Sequence, residues 1–160
     1  MHDGAREPHP TLADVAELSA DMADGLVSSE LLVELYLDRI NAIDRAGPTL
    51  GSVLCVNPNA LADARERDAE RERGELRGAL HGIPVLLKDQ VETSDMPTSY
   101  GSVLFEGFVP ERDATIVLKL KNAGAIILAK TTMGEFASRY VGSAFGVIRN
   151  AYDQIGRAHV

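Results

Sequence analysis

The apolar run Gly82-Ile83-Pro84-Val85-Leu86-Leu87 ends in Lys88-Asp89, the place in this chain where residue types and spacing best suit chemistry. A short apolar run of this kind predicts a strand buried on both faces, and in parallel α/β sheets ligands gather outside the carboxyl ends of strands. An ammonium at such an edge loses part of its hydration, which favours the neutral, basic amine. Two roles fit Lys88: a general base, or a side chain that snorkels to water or pairs with Asp89. The residues alone leave both open.

Other chemistries find little support. There is no G-x-G-x-x-G after a strand, no G-x-x-x-x-G-K-[ST] and no G-x-S-x-G, so neither a phosphate cradle nor a nucleophile elbow is present. The four histidines, His2, His9, His81 and His159, are scattered, and no His, Cys or carboxylate cluster has metal-ligand spacing. His81 reads as a solvated loop residue. Ser94, Ser99, Ser102, Ser138 and Ser143 sit in loop-like contexts and read as turn residues. The single cysteine, Cys55, cannot form an internal disulfide.

Composition narrows the class. The 160 residues carry a formal charge of −8, which repels phosphate backbones and argues against a nucleic-acid partner. The chain is 45% hydrophobic and 25% charged with both signs mixed, a balance that suits a folded domain rather than a disordered one. No stretch approaches the roughly 18 apolar residues of a membrane span. The polar, proline-broken start MHDGAREPHP lacks the apolar core of a signal peptide. The expectation is a cytoplasmic protein.

The elements that must position Lys88 follow from periodicity. After a loose tail over 1–10, Thr11 reads as the N-cap of a helix to about Asp24, with Leu12, Val15, Leu18 and Met22 on one face and Gly25 as its stop. Ser28 opens a second helix in which Leu32, Leu35, Tyr36, Ile40 and Ile43 repeat at three and four residues, ended by Gly47-Pro48. Residues 50–56 predict a short strand, and Asn57-Pro58 an N-cap with a first-turn proline for a helix to about Arg73. The run 65–73 holds four charges of each sign and reads as a solvated face. Beyond strand 83–87, Asp113 reads as the cap of a helix through Asn122 with Ile116, Val117 and Leu120 inward, followed by a buried strand over 125–129. Strand, crossover helix, strand makes a βαβ unit with parallel strands that are neighbours or nearly so. Thr131 or Thr132 then caps a short helix over 133–138.

Four segments in order, HGIPVLLKDQVET (81–93), MPTSYGS (96–102), RDATIVLKLKNAGAIILAKTTMGEF (112–136) and SAFGVIRNAYD (143–153), resemble the amidase signature enzymes. These are serine hydrolases that cleave carboxamides with a Ser–cis-Ser–Lys triad. The resemblance implies an α/β fold, a mixed β-sheet core flanked by helices. By position Lys88 matches the family's catalytic lysine, the general base that draws a proton from the nucleophilic serine through the bridging serine. Ala137 and Ser138 fall where the family lines its substrate cleft, and Gly101-Ser102 matches a recurrent pair that packs the core loop. No metal or cofactor is implied. The partner is a small-molecule amide, and the oligomeric state is unreadable.

The sequence departs from the family in three places. Gln90 stands where many members have Asn, and Ala151 replaces the proline of an Asn-Pro pair. The family's Gly-Gly-Ser-Ser-Gly-Gly-Ser segment, which carries the nucleophile, the bridging serine and the oxyanion donors, is not among these 160 residues. Residues 155–160 fit no family pattern and resemble one frame of a common sequencing adapter. The expectation is therefore that 11–154 form the amino-terminal part of one amidase domain, that 155–160 are non-native, and that the chain alone is inactive. The alternatives are the amidase subunit of a glutamine-dependent amidotransferase and a non-catalytic binding module.

Overall fold

The computed structural model describes residues 10–138 and 144–152. Most of the 1–10 tail and all of 155–160 lie outside the described residues, as does Ser143.

Asp14, not Thr11, starts the first helix, α1 (Val15–Ala23). Its carboxylate accepts the Ala16 and Glu17 N–H groups while the Glu17 carboxylate accepts the Asp14 N–H. This reciprocal box satisfies donors that a helix start otherwise leaves unpaired, and Pro10–Leu12 is left as a separate 3-10 turn. Ser28 caps α2 (Ser29–Arg39) through the Leu31 N–H. The same apolar repeat then continues as a π-helical segment, Ile40–Ala46, closed by Gly47 N–H on the Ala42 carbonyl at 2.8 Å. That wider coil turns Asp44 inward, where its carboxylate accepts the Ser52 and Val53 N–H groups and fixes the start of β1 (Val53–Val56).

Asn57 is not a helix cap. It is buried, donates to the Ile127 carbonyl at 2.7 Å and accepts the Asn59 N–H, tying the end of β1 to the sheet before α3 (Ala60–Glu72) begins. Nor is the charge run on α3 simply a solvated face. Arg67 and Glu70 are buried, and Arg77 grips the Glu70 carboxylate from the following loop. His81 is buried with them. Its Nδ1 accepts the Arg77 N–H at 3.2 Å and its Nε2 lies 2.8 Å from the Arg67 carbonyl, so the proton sits on Nε2.

The βαβ unit forms as expected. β2 (Pro84–Lys88) and β3 (Ile126–Thr131) pair in parallel through α4 (Thr115–Asn122), and β1 adds antiparallel to the far side of β3, giving the order β1-β3-β2. The central strand β3 is buried on both faces. β2 is an edge strand among the described residues, so Leu86 is 50% exposed and the expected double burial does not hold there. Asp113 does not cap α4; it accepts from Ser94 and from the Lys121 ammonium, while Ile116 faces outward. The short helix expected over 133–138 is, among the described residues, a 3-10 turn, Glu135–Ala137.

Helices lie on both sides of the sheet. Val33 of α2 and Ala60 and Ala64 of α3 pack on Ile126, Leu128 and Ala129. On the opposite face Val117 of α4 packs with Leu87, Met96 and Ile127. Leu18 and Met22 of α1 join Leu32 and Ile83. No helix among the described residues is long and apolar enough to cross a membrane.

Candidate active site

β2 alternates as a strand should, placing Val85 and Leu87 on the α4 side and Leu86 and Lys88 on the other. Lys88 is the last residue of β2 and its side chain is exposed. The desolvation expected at this position is therefore not supplied by the described residues. Below Lys88, Pro84 and Leu86 form one wall of an open apolar cleft of about 550 Å3, completed by Tyr36, Ile40, Val53 and Leu128.

The desolvated lysine of this region is Lys130. It sits opposite Leu87 in the parallel ladder, fully buried on the α4 side. Its Nζ donates to the Val91 carbonyl at 2.6 Å and to Thr98 Oγ1 at 2.8 Å. Burial pushes the Lys130 ammonium below its ordinary range, against the pull of the Asp89 charge. The same burial pushes up the thiol of Cys55, the ladder partner of Lys130 on β1, with Lys130 opposing.

Asp89 does not pair with Lys88. It is fully buried, and its carboxylate accepts the Ser99 N–H at 3.1 Å, the Ser99 hydroxyl, and the Gly101 N–H at 3.1 Å. Its own N–H donates to the Thr131 carbonyl, extending the ladder by one bond past Lys88. Gly101 has φ +71°, and a Cβ there would lie 2.6 Å from the Met133 carbonyl oxygen. Only glycine fits that approach of the 99–101 turn to the segment leaving β3. Ser102, also buried, donates to the Glu135 carboxylate at 2.7 Å, so the Gly-Ser pair packs loop against loop.

Ala137 and Ser138 are exposed, on the segment that leaves β3 beyond Thr131, the ladder partner of Lys88. Phe136 and Ala137 hold φ values of 50° and 55°, in the left-handed region that non-glycine residues seldom occupy. Phe136 stacks edge-on against Phe105, which also meets Tyr100 and Phe108. Ser138 Oγ donates to the Glu135 carbonyl at 2.8 Å. Among the described residues no group of three His, Cys, Asp or Glu could hold a metal ion.

Lys130 is the residue that sequence reasoning passed over, and Asp89, offered there as a partner for Lys88, instead holds the 99–101 turn. The signal for Lys130 was available: it ends an apolar run as Lys88 does, but on the strand that becomes the centre of the sheet.

A mixed sheet with helices on both faces is the frame of an α/β core. The chain belongs to the amidase family, whose model, Amidase, matches residues 31–155. It is 45% identical over 140 residues to a glutamyl-tRNA(Gln) amidotransferase subunit of Acidothermus cellulolyticus, covering 86% of this chain and 27% of that one. The crystal structure of the peptide amidase of Stenotrophomonas maltophilia superposes with a TM-score of 0.85 at 45% identity, covering 89% of this chain and 30% of that one. An amidase family protein of Bacillus anthracis matches with a TM-score of 0.73, also at 45% identity, over 77% of this chain and 24% of that one. The chain thus spans less than a third of the length of these relatives.

Proposed function

We propose that these residues supply the general base of a carboxamide hydrolase, Lys88, within a longer cytoplasmic protein whose remaining segments provide the nucleophile. The observation that carries this reading is the position of Lys88: last residue of a parallel strand, side chain on the open face, backbone held on both sides by the ladder and the turn that follows.

In this reaction the Lys88 amine takes a proton, relayed by a bridging serine, from the serine that attacks the amide carbon. The tetrahedral intermediate collapses as the proton passes to the leaving amine or ammonia. Water then attacks the acyl-enzyme ester and releases the acid. Neither serine is among these 160 residues, so the chain alone does not turn over amides. Covalent attack and oxyanion stabilisation are both missing, and a single oxyanion donor is worth about 10²–10³ in rate. Ala137 and Ser138, both exposed on the segment that leaves β3, line the substrate cleft that the whole protein completes, which is distinct from the apolar cleft beside Leu86.

The likeness to the Acidothermus cellulolyticus protein supports a second reading, in which the same chemistry releases ammonia from glutamine within an amidotransferase. The test is ammonia release by the purified full-length gene product, offered a peptide amide, a simple aliphatic amide and glutamine in turn. Release from a carboxamide without partner subunits supports the first reading, and release from glutamine that needs partner subunits supports the second. Release from none overturns both.

A further inference from the structure

Lys88 has its base-bearing side chain in the open, and no side chain among those described grips it; what is fixed is its backbone. The Lys88 carbonyl accepts the Val91 N–H at 2.8 Å, closing a tight turn directly after the strand. The Val91 carbonyl in turn accepts from Lys130 Nζ at 2.6 Å, and Lys130 places a second bond on Thr98. A fully buried ammonium thus holds the far side of the turn that Lys88 opens. Asp89, the next residue, reaches the other way and holds Ser99 and Gly101. The two buried charges are complementary, so each lessens the cost of burying the other.

We propose that Lys130 is a positioning residue for Lys88: through Val91 it fixes the end of β2 and so sets where the Lys88 amine is delivered. This rests on the reading of Lys88 as the general base. Lys130 acts through the peptide backbone and needs no contact with substrate. A full-length methionine stem at this position would fill the same space but leave the Val91 carbonyl without its donor and Asp89 without its countercharge.

The experiment compares Lys130→Met, Lys88→Ala and Glu70→Gln in the full-length gene product. Glu70 lies in the α3 network away from this turn and serves as a control for lost stability alone. The expected result for Lys130→Met is a fall in kcat on the order of 10–100-fold with KM little changed, since misplacing a catalytic group by about an ångström costs that much. Glu70→Gln keeps the wild-type kcat at a temperature where it is folded. Wild-type kcat in folded Lys130→Met overturns the inference, provided Lys88→Ala is inactive; an active Lys88→Ala instead overturns the general-base reading beneath it. Hydrogen exchange on the wild-type protein keeps the inference testable should Lys130→Met fail to fold. The Val91 N–H is expected to exchange as slowly as the amides of β3, and rapid exchange there would show that the turn is not held.

Discussion

Lys88 is the last residue of β2 and Lys130 the penultimate residue of the adjacent parallel strand β3, one register step apart, and their side chains leave opposite faces of the sheet. Lys88 emerges on the exposed side beside Leu86, and Lys130 enters the core beside Leu87 and hydrogen-bonds the loop that follows Lys88. Two lysines with nearly the same sequence surroundings thus differ in burial, because among the described residues one strand is central and the other is an edge.

That contrast has a direct chemical consequence. The chain has four lysines, Lys88, Lys119, Lys121 and Lys130, so labelling at each can be resolved by peptide mass spectrometry. Acetylation at pH 8 is expected to modify Lys88 and to spare Lys130 while the protein is folded, with Lys130 reacting only after denaturation. Equal labelling of the two in the native state would contradict the burial of Lys130.

The Glu70 carboxyl is held below the ordinary glutamate value of 4.5, first by its hydrogen bond from Arg77, against burial, with help from Arg67. A depressed folded value stabilises above the unfolded pKa and is lost as pH falls through the folded one. Glu70→Gln is therefore expected to cost about 2 kcal/mol at pH 7, since it removes the charge-assisted bond from Arg77 and the longer contact to Arg67, which keeps its pair with Glu66 at 2.6 Å. The gap from wild type narrows as pH drops below 4.5, which denaturant titrations at pH 7 and pH 3.5 would measure. A gap that stays constant across that range would show that the ion pair contributes nothing.

Gly101→Ala combines a positive φ with a Cβ driven against the Met133 carbonyl. The expected loss is about 2 kcal/mol or more, read as a lowered Tm. Gly107→Ala, also at positive φ but with nothing near its Cβ, separates the two causes and is expected to cost less. Equal losses would mean that packing of the 99–101 turn on the segment after β3 does not matter.

Cys55 is half-buried on β1 with its thiol pushed above the usual 9.0, chiefly by burial. The thiolate is the reactive form, so a disulfide reagent at pH 8 is expected to modify Cys55 more slowly in the native protein than after unfolding. As the only cysteine, it gives an unambiguous reading. Native and unfolded rates that match would contradict its placement in the α4-side core.

The βαβ unit and the place of Lys88 at a strand's carboxyl end were legible in the sequence, because apolar runs and a crossover helix report local geometry. Burial that depends on neighbours distant in sequence was not. Arg67 and Glu70 look solvated in a run of alternating charge, and they are buried only because Arg77 and His81 fold back onto α3. Asn57 has the form of a helix cap, yet its amide is drawn to Ile127, far along the chain. Asp14 outcompetes Thr11 because Glu17 lies three residues on and completes the capping box. The expectation for Ala137 and Ser138 rests only on family resemblance, since nothing in the residue types of Phe136 and Ala137 signals the left-handed backbone that precedes Ser138.

The most direct test of the general-base reading is single-turnover acylation of the full-length gene product by a carboxamide substrate, comparing wild type with Lys88→Ala. General-base catalysis contributes about 10²–10⁴-fold, so the acylation rate is expected to fall by that order in Lys88→Ala that its melting curve shows to be folded. Acylation at the wild-type rate in folded Lys88→Ala would contradict the assignment of Lys88 as the base.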